Sequence, residues 1–307
     1  MPMTLILHDH DGGIDDYLST MLLSTIEDIE LLGVVVTPAD CYIEPAVSAT
    51  RKILELVDRS NVPVAASTVR GCNAFPPLYR RDSYIIDRLP ILNERSSVQT
   101  PLVPESGQQF LVRMLQSAPR PVTLLVTGPL TTVATALETE RSIGSNIEKI
   151  VWMGGALNVP GNVESMWEPG HDGTAEWNAY WDAEAIETVW RTEIPFILCS
   201  LDITNRVPVT DDIIQRIAKQ RRYVLSDLAG QCYALASPQE FYFWDVLATA
   251  YLGRPDLYEL REYEVEVITE GASQGRTIVK PGGRKIQVFE DVDVEGFYEY
   301  FLGQLMR

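Results

Sequence analysis

The sequence predicts an α/β fold: a mainly parallel central sheet with helices on both faces, and a small antiparallel β appendage at the carboxyl end. Two observations carry this expectation. Six short runs place apolar residues at successive positions, as strands buried on both faces do, and each is followed by a stretch with helical spacing. Beyond residue 260 the pattern changes to alternation. The runs are residues 4–8, 29–36, 62–66, 122–127, 147–153 and 194–199. Pro63 weakens the third, because proline cannot donate to a ladder. Helical spacing occupies residues 15–24, 44–57, 107–116, 130–137, 182–191 and 211–219. Such βαβ alternation gives parallel neighbours, and ligands of these sheets bind beyond the carboxyl ends of the strands. Two irregular stretches, 70–81 and 158–174, are long enough to be functional loops. In the tail, Tyr263-Glu264-Val265-Glu266-Val267 alternates, and Gly271 and Pro281-Gly282-Gly283 mark turns before a last helix. Without internal repeats, residues 1–307 read as one domain.

Composition narrows the partners. The 307 residues include 43 Asp+Glu against 25 Lys+Arg, a formal net charge of −18. This balance offers no electrostatic footprint for nucleic acid or an anionic membrane surface. With 46% hydrophobic and 22% charged residues, a packed core is expected and not disorder. Leu5-Ile6-Leu7 runs straight into His8-Asp9, too short an apolar stretch for a signal-peptide core, and no apolar run approaches membrane-helix length. Cys41, Cys72, Cys199 and Cys232 are far apart, with no CxxC pair, so neither a zinc site nor a disulfide framework is expected. A cytoplasmic location follows as the expectation.

The first strand-to-helix junction carries the chemistry. Asp9, Asp11, Asp15 and Asp16 fall within eight residues, and like charges this close require a cation or proton to hold them. Asp9 and Asp11 share a face at the strand end, Gly12 and Gly13 let the chain turn, and Asp15 and Asp16 open the next helix. Helix capping accounts for one carboxylate and not for four. Hard oxygen donors favour Ca²⁺ or Mg²⁺. An EF-hand loop does not fit, since its sixth position is Ile14 and its twelfth Thr20. A haloacid-dehalogenase-type phosphatase remains a rival, with Asp9 as nucleophile and Leu124-Leu125-Val126-Thr127 as its second motif.

Asp9-His10-Asp11-Gly12-Gly13-Ile14-Asp15-Asp16 closely resembles the amino-terminal signature of nucleoside hydrolases. Further elements follow in the family's order: Thr127-Gly128-Pro129-Leu130-Thr131-Thr132, Met153-Gly154-Gly155, Gly161-Asn162, Glu176-Trp177-Asn178, and Asp245 with Leu247-Ala248. The resemblance implies a Rossmann-like core and a Ca²⁺-dependent enzyme that cleaves ribonucleosides to ribose and free base, as in purine salvage or nucleoside catabolism. It implies that Asp11, Asp16 and Asp245 hold Ca²⁺ through side chains and Thr127 through its carbonyl, and that Asp11 takes a proton from the attacking water. Asp15, Asn178 and Asp245 would hold the ribose 2′ and 3′ hydroxyls, and Asn162 and Glu176 the 5′ hydroxyl, with Met153 beside them. A homodimer or homotetramer is also implied. Taken singly, Glu176 and Asn178 are equally common helix starters, Asn162 a common turn residue and Met153 a common core residue.

Departures from the family pattern point to the base. Where several members carry His before the last metal aspartate, this chain has Trp244, and Ala39-Asp40 replaces their Gly-Asn. Both changes resemble the purine-specific, inosine-adenosine-guanosine-preferring branch, in which aromatic side chains sandwich the base. Asn73-Ala74-Phe75-Pro76-Pro77-Leu78-Tyr79 resembles that branch's stacking loop, with Tyr79 at the usual Trp position. Trp244 and Tyr79 would then stack the purine and favour its protonated form, with Asp40 hydrogen-bonding it. Phe241 and Phe243 read as core. Gly13 stands where that branch carries Asn, and His171, in the 158–174 loop, receives no role. Broad or pyrimidine-preferring specificity is the alternative within the family.

Overall fold

The computed structural model describes residues 3–95, 97–236 and 240–307. Its strands are β1 (Thr4–His10), β2 (Ile29–Val36), β3 (Val64–Ala66), β4 (Val122–Val126), β5 (Ile147–Met153), β6 (Phe196–Cys199), β7 (Tyr258–Val267), β8 (Thr277–Val279) and β9 (Arg284–Val292). They form one sheet in the order β3-β2-β1-β4-β5-β6-β9-β7-β8. The pairings from β3 through β6 to β9 are parallel, and β7 is antiparallel to both β9 and β8. The antiparallel strands expected of the tail are therefore joined to the main sheet through β9.

The apolar runs form strands because both faces of the sheet are covered. Ile6, Val34, Val36, Leu125 and Val151 belong to one buried cluster, while Leu5, Leu7, Val35, Leu124, Val126 and Ile150 belong to the other. Period-two alternation sends successive residues into opposite layers, and both layers are apolar, so no polar alternation is visible in sequence. Pro63 lies just before the short β3.

Helices flank these strands: α1 (Ile14–Thr25), α2 (Ile43–Leu56), α3 (Pro77–Arg80), α4 (Asp82–Asp87), α5 (Gly107–Ser117), α6 (Thr131–Thr139), α7 (Trp177–Trp181) and α8 (Ala183–Trp190). After β5 and β6 come α9 (Leu201–Thr204), α10 (Asp211–Lys219), α11 (Val224–Ala236) and α12 (Trp244–Tyr251), and α13 (Val294–Gln304) closes the chain. Neither α11 nor α12 is among the helices expected from the sequence. In α12 every residue from Asp245 to Ala250 is buried, so there is no polar face to reveal a helical period. The stretch expected to be irregular from residue 70 includes the short α3. All four cysteines are free.

The turn that aims α1 depends on Gly12. Its φ is +85°, and a Cβ there would stand 2.6 Å from Cys41 Cβ. Both the backbone region and the space exclude a side chain. Replacing Gly12 with Ala should lower unfolding stability by about 2 kcal/mol or more. A urea unfolding midpoint unchanged from the parent would contradict this reading.

Candidate active site

In the strand order, the chain proceeds outward from β1 through β2 to β3 on one side and from β4 through β5 to β6 on the other. Loops leaving the carboxyl ends of β1 and β4 therefore diverge and leave a crevice, the usual ligand position of open α/β sheets. A cavity of about 560 Å³ opens there. Asp11 leaves β1, Asp15 and Asp16 open α1, Asp40 follows β2, Thr127 follows β4 and Met153 ends β5. Glu176 caps α7, Asn178 lies in it, and Asp245 is in the first turn of α12. All of these line the cavity, together with Tyr79, Asn162 and Trp244. Every site residue anticipated from sequence thus faces one space.

Its electrostatics are one-sided. Asp11, Asp15, Asp16, Asp40, Asp82, Asp245, Glu164, Glu176 and Glu240 line the cavity, and no Lys, Arg or His is among the described lining residues. A Cβ placed on Gly13 would lie 3.3 Å from Asp40 Oδ2, 3.4 Å from Asp15 Oδ1 and 3.5 Å from Asp16 Oδ2. Three carboxylates therefore ring this glycine, and an Asn side chain would have to displace Asp40. Burial pushes the Asp11, Asp40 and Asp245 carboxyls well above the ordinary range, and repulsion from Asp16 adds to each. Burial and Asp16 likewise raise Asp15 to about 7. Asp40 Oδ1 is buried with no partner.

The neighbouring donors are neutral. Asp16 accepts from Gly13 N at 2.8 Å and from the Thr127 hydroxyl. Asp11 Oδ2 accepts from Asp40 N at 3.2 Å, and Asp15 Oδ2 from Asp245 N at 3.2 Å, which ties α1 to α12. Asn178 donates through Nδ2 to the carbonyls of Thr127 at 3.0 Å and Met153 at 3.2 Å, leaving Oδ1 to accept. Asn162 Oδ1 accepts from Trp177 N at 3.1 Å, leaving its amide hydrogens to donate. Glu176 receives the backbone N–H groups of Asn178 at 2.9 Å, Gly155 at 2.9 Å and Ala179 at 3.1 Å, and burial still raises it to about 7. Its capping and cavity-lining positions coexist.

Among the described residues, no three His, Cys, Asp or Glu side chains already stand at coordination spacing. The donor set nevertheless fits a hard divalent cation: buried oxygens, mutually repelling, with a second lone pair free on the Thr127 carbonyl. Asp9 behaves differently. It is 2% exposed, accepts from Thr37 Oγ1 at 2.7 Å and does not line the cavity, so it cannot serve as an attacking nucleophile. Burial raises it to about 8.

Two aromatic groups share the cavity lining with the carboxylates. Phe241 stands 4.6 Å from Trp244 in a T-shaped pair, and Tyr242 is 5.7 Å from the same indole. Opposite in sequence, Phe75 is 5.3 Å from Trp177, and Tyr79 lies 6.2 Å from Trp177 at 90°. Glu164 accepts from Tyr79 Oη at 2.8 Å and Trp177 Nε1 at 3.3 Å. Phe243 is fully buried as expected, but Phe241 is half-buried and lines the cavity, contrary to its reading as core. Phe75, Trp177, Asp82, Glu164 and Glu240 also line it without having been anticipated. Trp177 lay inside the Glu176-Trp177-Asn178 motif, the one signal that marked it. His171 lies outside the cavity, with Nε2 2.9 Å from the Gln274 carbonyl and Nδ1 accepting from Gly173 N at 3.0 Å.

The family model described as inosine-uridine preferring nucleoside hydrolase matches residues 6–299. The chain belongs to this family. An inosine-uridine preferring nucleoside hydrolase from Bacillus anthracis has a crystal structure that superposes with a TM-score of 0.96, at 43% identity over 99% of both chains. The pyrimidine-specific ribonucleoside hydrolase RihA of Shewanella woodyi is 29% identical over 96% of this chain and 95% of its own. A purine-preferring ribonucleoside hydrolase from Gardnerella vaginalis shares the fold at a TM-score of 0.81 and 23% identity. As a nucleoside hydrolase the chain is an N-ribohydrolase, which removes the phosphatase reading together with the burial of Asp9.

The raised carboxyls make stability depend on pH. Asp9 at about 8, and Asp15 and Glu176 at about 7, bind protons in the folded state that the unfolded chain releases near pH 4. These carboxyls outnumber the buried His8 and His10, which are pushed below the ordinary imidazole range and act in the opposite sense below about pH 6.5, so the metal-free protein should lose stability as pH rises from about 4 to 8. Thermal melting in chelator at pH 5 and pH 8 checks this. A melting temperature higher at pH 8 would refute it.

Proposed function

We propose that this nucleoside hydrolase cleaves the N-glycosidic bond of purine ribonucleosides in a Ca²⁺-dependent reaction. The observation that carries the reading is one cavity lined by nine carboxylates and two aromatic groups, with no cationic side chain among its described lining residues. An uncharged sugar that becomes cationic as its bond breaks suits the floor, and a flat base suits the walls. The missing cations also disfavour a 5′-phosphate.

Asp11, Asp16 and Asp245 would hold Ca²⁺ with the Thr127 carbonyl; when bound, the ion lowers the pKa of water in its shell. Asp11, whose carboxylate is oriented by Asp40 N, receives the proton of the attacking water. Asn178 Oδ1, Asp15 and Asp245 accept from the ribose 2′ and 3′ hydroxyls, while Asn162 Nδ2 and Glu176 bind the 5′ hydroxyl, with Met153 packing beside the sugar. These contacts surround the anomeric carbon with negative charge as the oxocarbenium character develops. Direct attack by water on the face opposite the departing base would invert the anomeric carbon.

Trp244 and Tyr79 stack the base, helped by Phe241 and Trp177, and stacking favours the protonated purine as leaving group. Asp40, with an unpartnered buried Oδ1, accepts a hydrogen bond from it. A broader specificity is favoured by other observations: the Bacillus anthracis protein is an inosine-uridine preferring nucleoside hydrolase, and the RihA relatives are pyrimidine-specific. A homodimer or homotetramer in the cytoplasm completes the proposal.

Free-base release from inosine, guanosine, adenosine, uridine and cytidine tests the substrate class. The purines should be fastest; uridine cleaved faster than every purine would reverse the assignment. Asp11→Ala should cost about 10²- to 10⁴-fold in kcat with nucleoside binding retained. Near-normal turnover would reject Asp11 as the base. Trp244→Ala should raise the KM of purine nucleosides about tenfold, an effect absent for a ribose donor with a small non-aromatic leaving group.

A further inference from the structure

His8 sits inside β1, between β2 and β4, and is fully buried. The chemistry above does not use it. Burying an imidazole here is unfavourable unless both nitrogens find partners, and both do: Nε2 is 2.9 Å from Thr127 Oγ1, and Nδ1 is 3.2 Å from Thr20 Oγ1.

Counting hydrogens gives the direction of the chain. Thr127 has one hydroxyl hydrogen, and it goes to Asp16 Oδ1. Thr127 Oγ1 must then accept from His8, which places the ring hydrogen on Nε2. His8 Nδ1 is left as an acceptor and takes the Thr20 hydroxyl hydrogen. From α1 through β1 to the end of β4, every donor points toward Asp16, whose other oxygen accepts from Gly13 N. The opposite polarity would need a hydrogen on Nδ1 and a protonated Asp16, and a protonated carboxyl is a poor cation ligand. The other group on Thr127, its carbonyl, is held by Asn178.

We infer that His8 is a positioning residue for the divalent cation: through the Thr127 hydroxyl it keeps the Asp16 carboxylate aimed at the site, and it anchors Thr127 at the same time. The inference rests on Asp16 and Thr127 being metal donors. Partners that orient metal ligands in this way are typically worth about 10- to 100-fold in affinity.

Two measurements on the whole protein test it. In the metal-free protein, ¹⁵N NMR of labelled histidine should show His8 with its hydrogen on Nε2; a hydrogen on Nδ1 overturns the relay. Calorimetric titration with Ca²⁺ alone, without nucleoside, should show about 10- to 100-fold weaker binding for His8→Leu. His8→Gln, which retains a terminal donor, should recover most of that loss. Thr127→Val should resemble His8→Leu, and the double variant should be little worse than either, since both break one chain of contacts. If His8→Leu does not fold, Thr20→Val supplies the same comparison, with a smaller loss expected. Wild-type Ca²⁺ affinity in the folded His8→Leu variant, or in Thr20→Val where His8→Leu does not fold, sinks the inference alone. Absence of Ca²⁺ binding by the wild type sinks the metal assignment and the inference with it.

Discussion

Mutual repulsion among buried carboxylates at the carboxyl end of β1 constrains the rest of this molecule. Asp11, Asp15, Asp16, Asp40 and Asp245 arrive from β1, α1, the loop after β2 and α12, and each would be more comfortable in water. The sheet overrides that preference because β1 and β4 are locked in register between two apolar layers. What the fold supplies around the carboxylates are backbone N–H groups and hydroxyls, including Gly13 N, Asp40 N, Asp245 N and the Thr127 hydroxyl. Such donors orient a carboxylate without cancelling its charge, so the field at the cavity survives.

A salt bridge would have served stability better and function worse. An Arg beside Asp11 would neutralise the group that takes the proton and compete with a cation for its oxygens. Arg80, whose charge reaches Asp40, is directed elsewhere: its Nε donates to the Cys41 carbonyl and its guanidinium lies 4.6 Å above the Tyr42 ring. It tempers Asp40 from outside the cavity lining. The −18 balance of the chain therefore has a local counterpart. Most acidic residues are solvated, but nine face the one space where a cationic transition state is proposed to form.

Sequence conveyed the sheet well, because strands buried on both faces leave unbroken apolar runs; β2 and β5 carry the expected limits. It also conveyed the acidic floor, since Asp11, Asp15 and Asp16 are neighbours in the chain and their repulsion is local. The aromatic walls were only half legible. Phe241 and Phe243 are two residues apart with the same composition, yet one lines the cavity and the other is core. Which is which depends on the path of the segment before α12, set by β-type contacts such as Val209 N to Phe241 O. Glu164 was invisible for a similar reason: its two partners, Tyr79 and Trp177, come from separate loops. The distant Gly12–Cys41 contact and the His8–Thr127 contact likewise exist only once β1, β2 and β4 are assembled.

These carboxylates are proposed to form a single cation and ribose site. The most direct test is a crystal structure of the protein with Ca²⁺ and a nucleoside analogue that resists cleavage, the ion located by its anomalous scattering. One Ca²⁺ should be bound by Asp11, Asp16, Asp245 and the Thr127 carbonyl, with the 2′ and 3′ hydroxyls completing a shell of roughly six to eight oxygens. A cation bound away from these residues, or an analogue whose sugar lies outside the acidic floor, would contradict it.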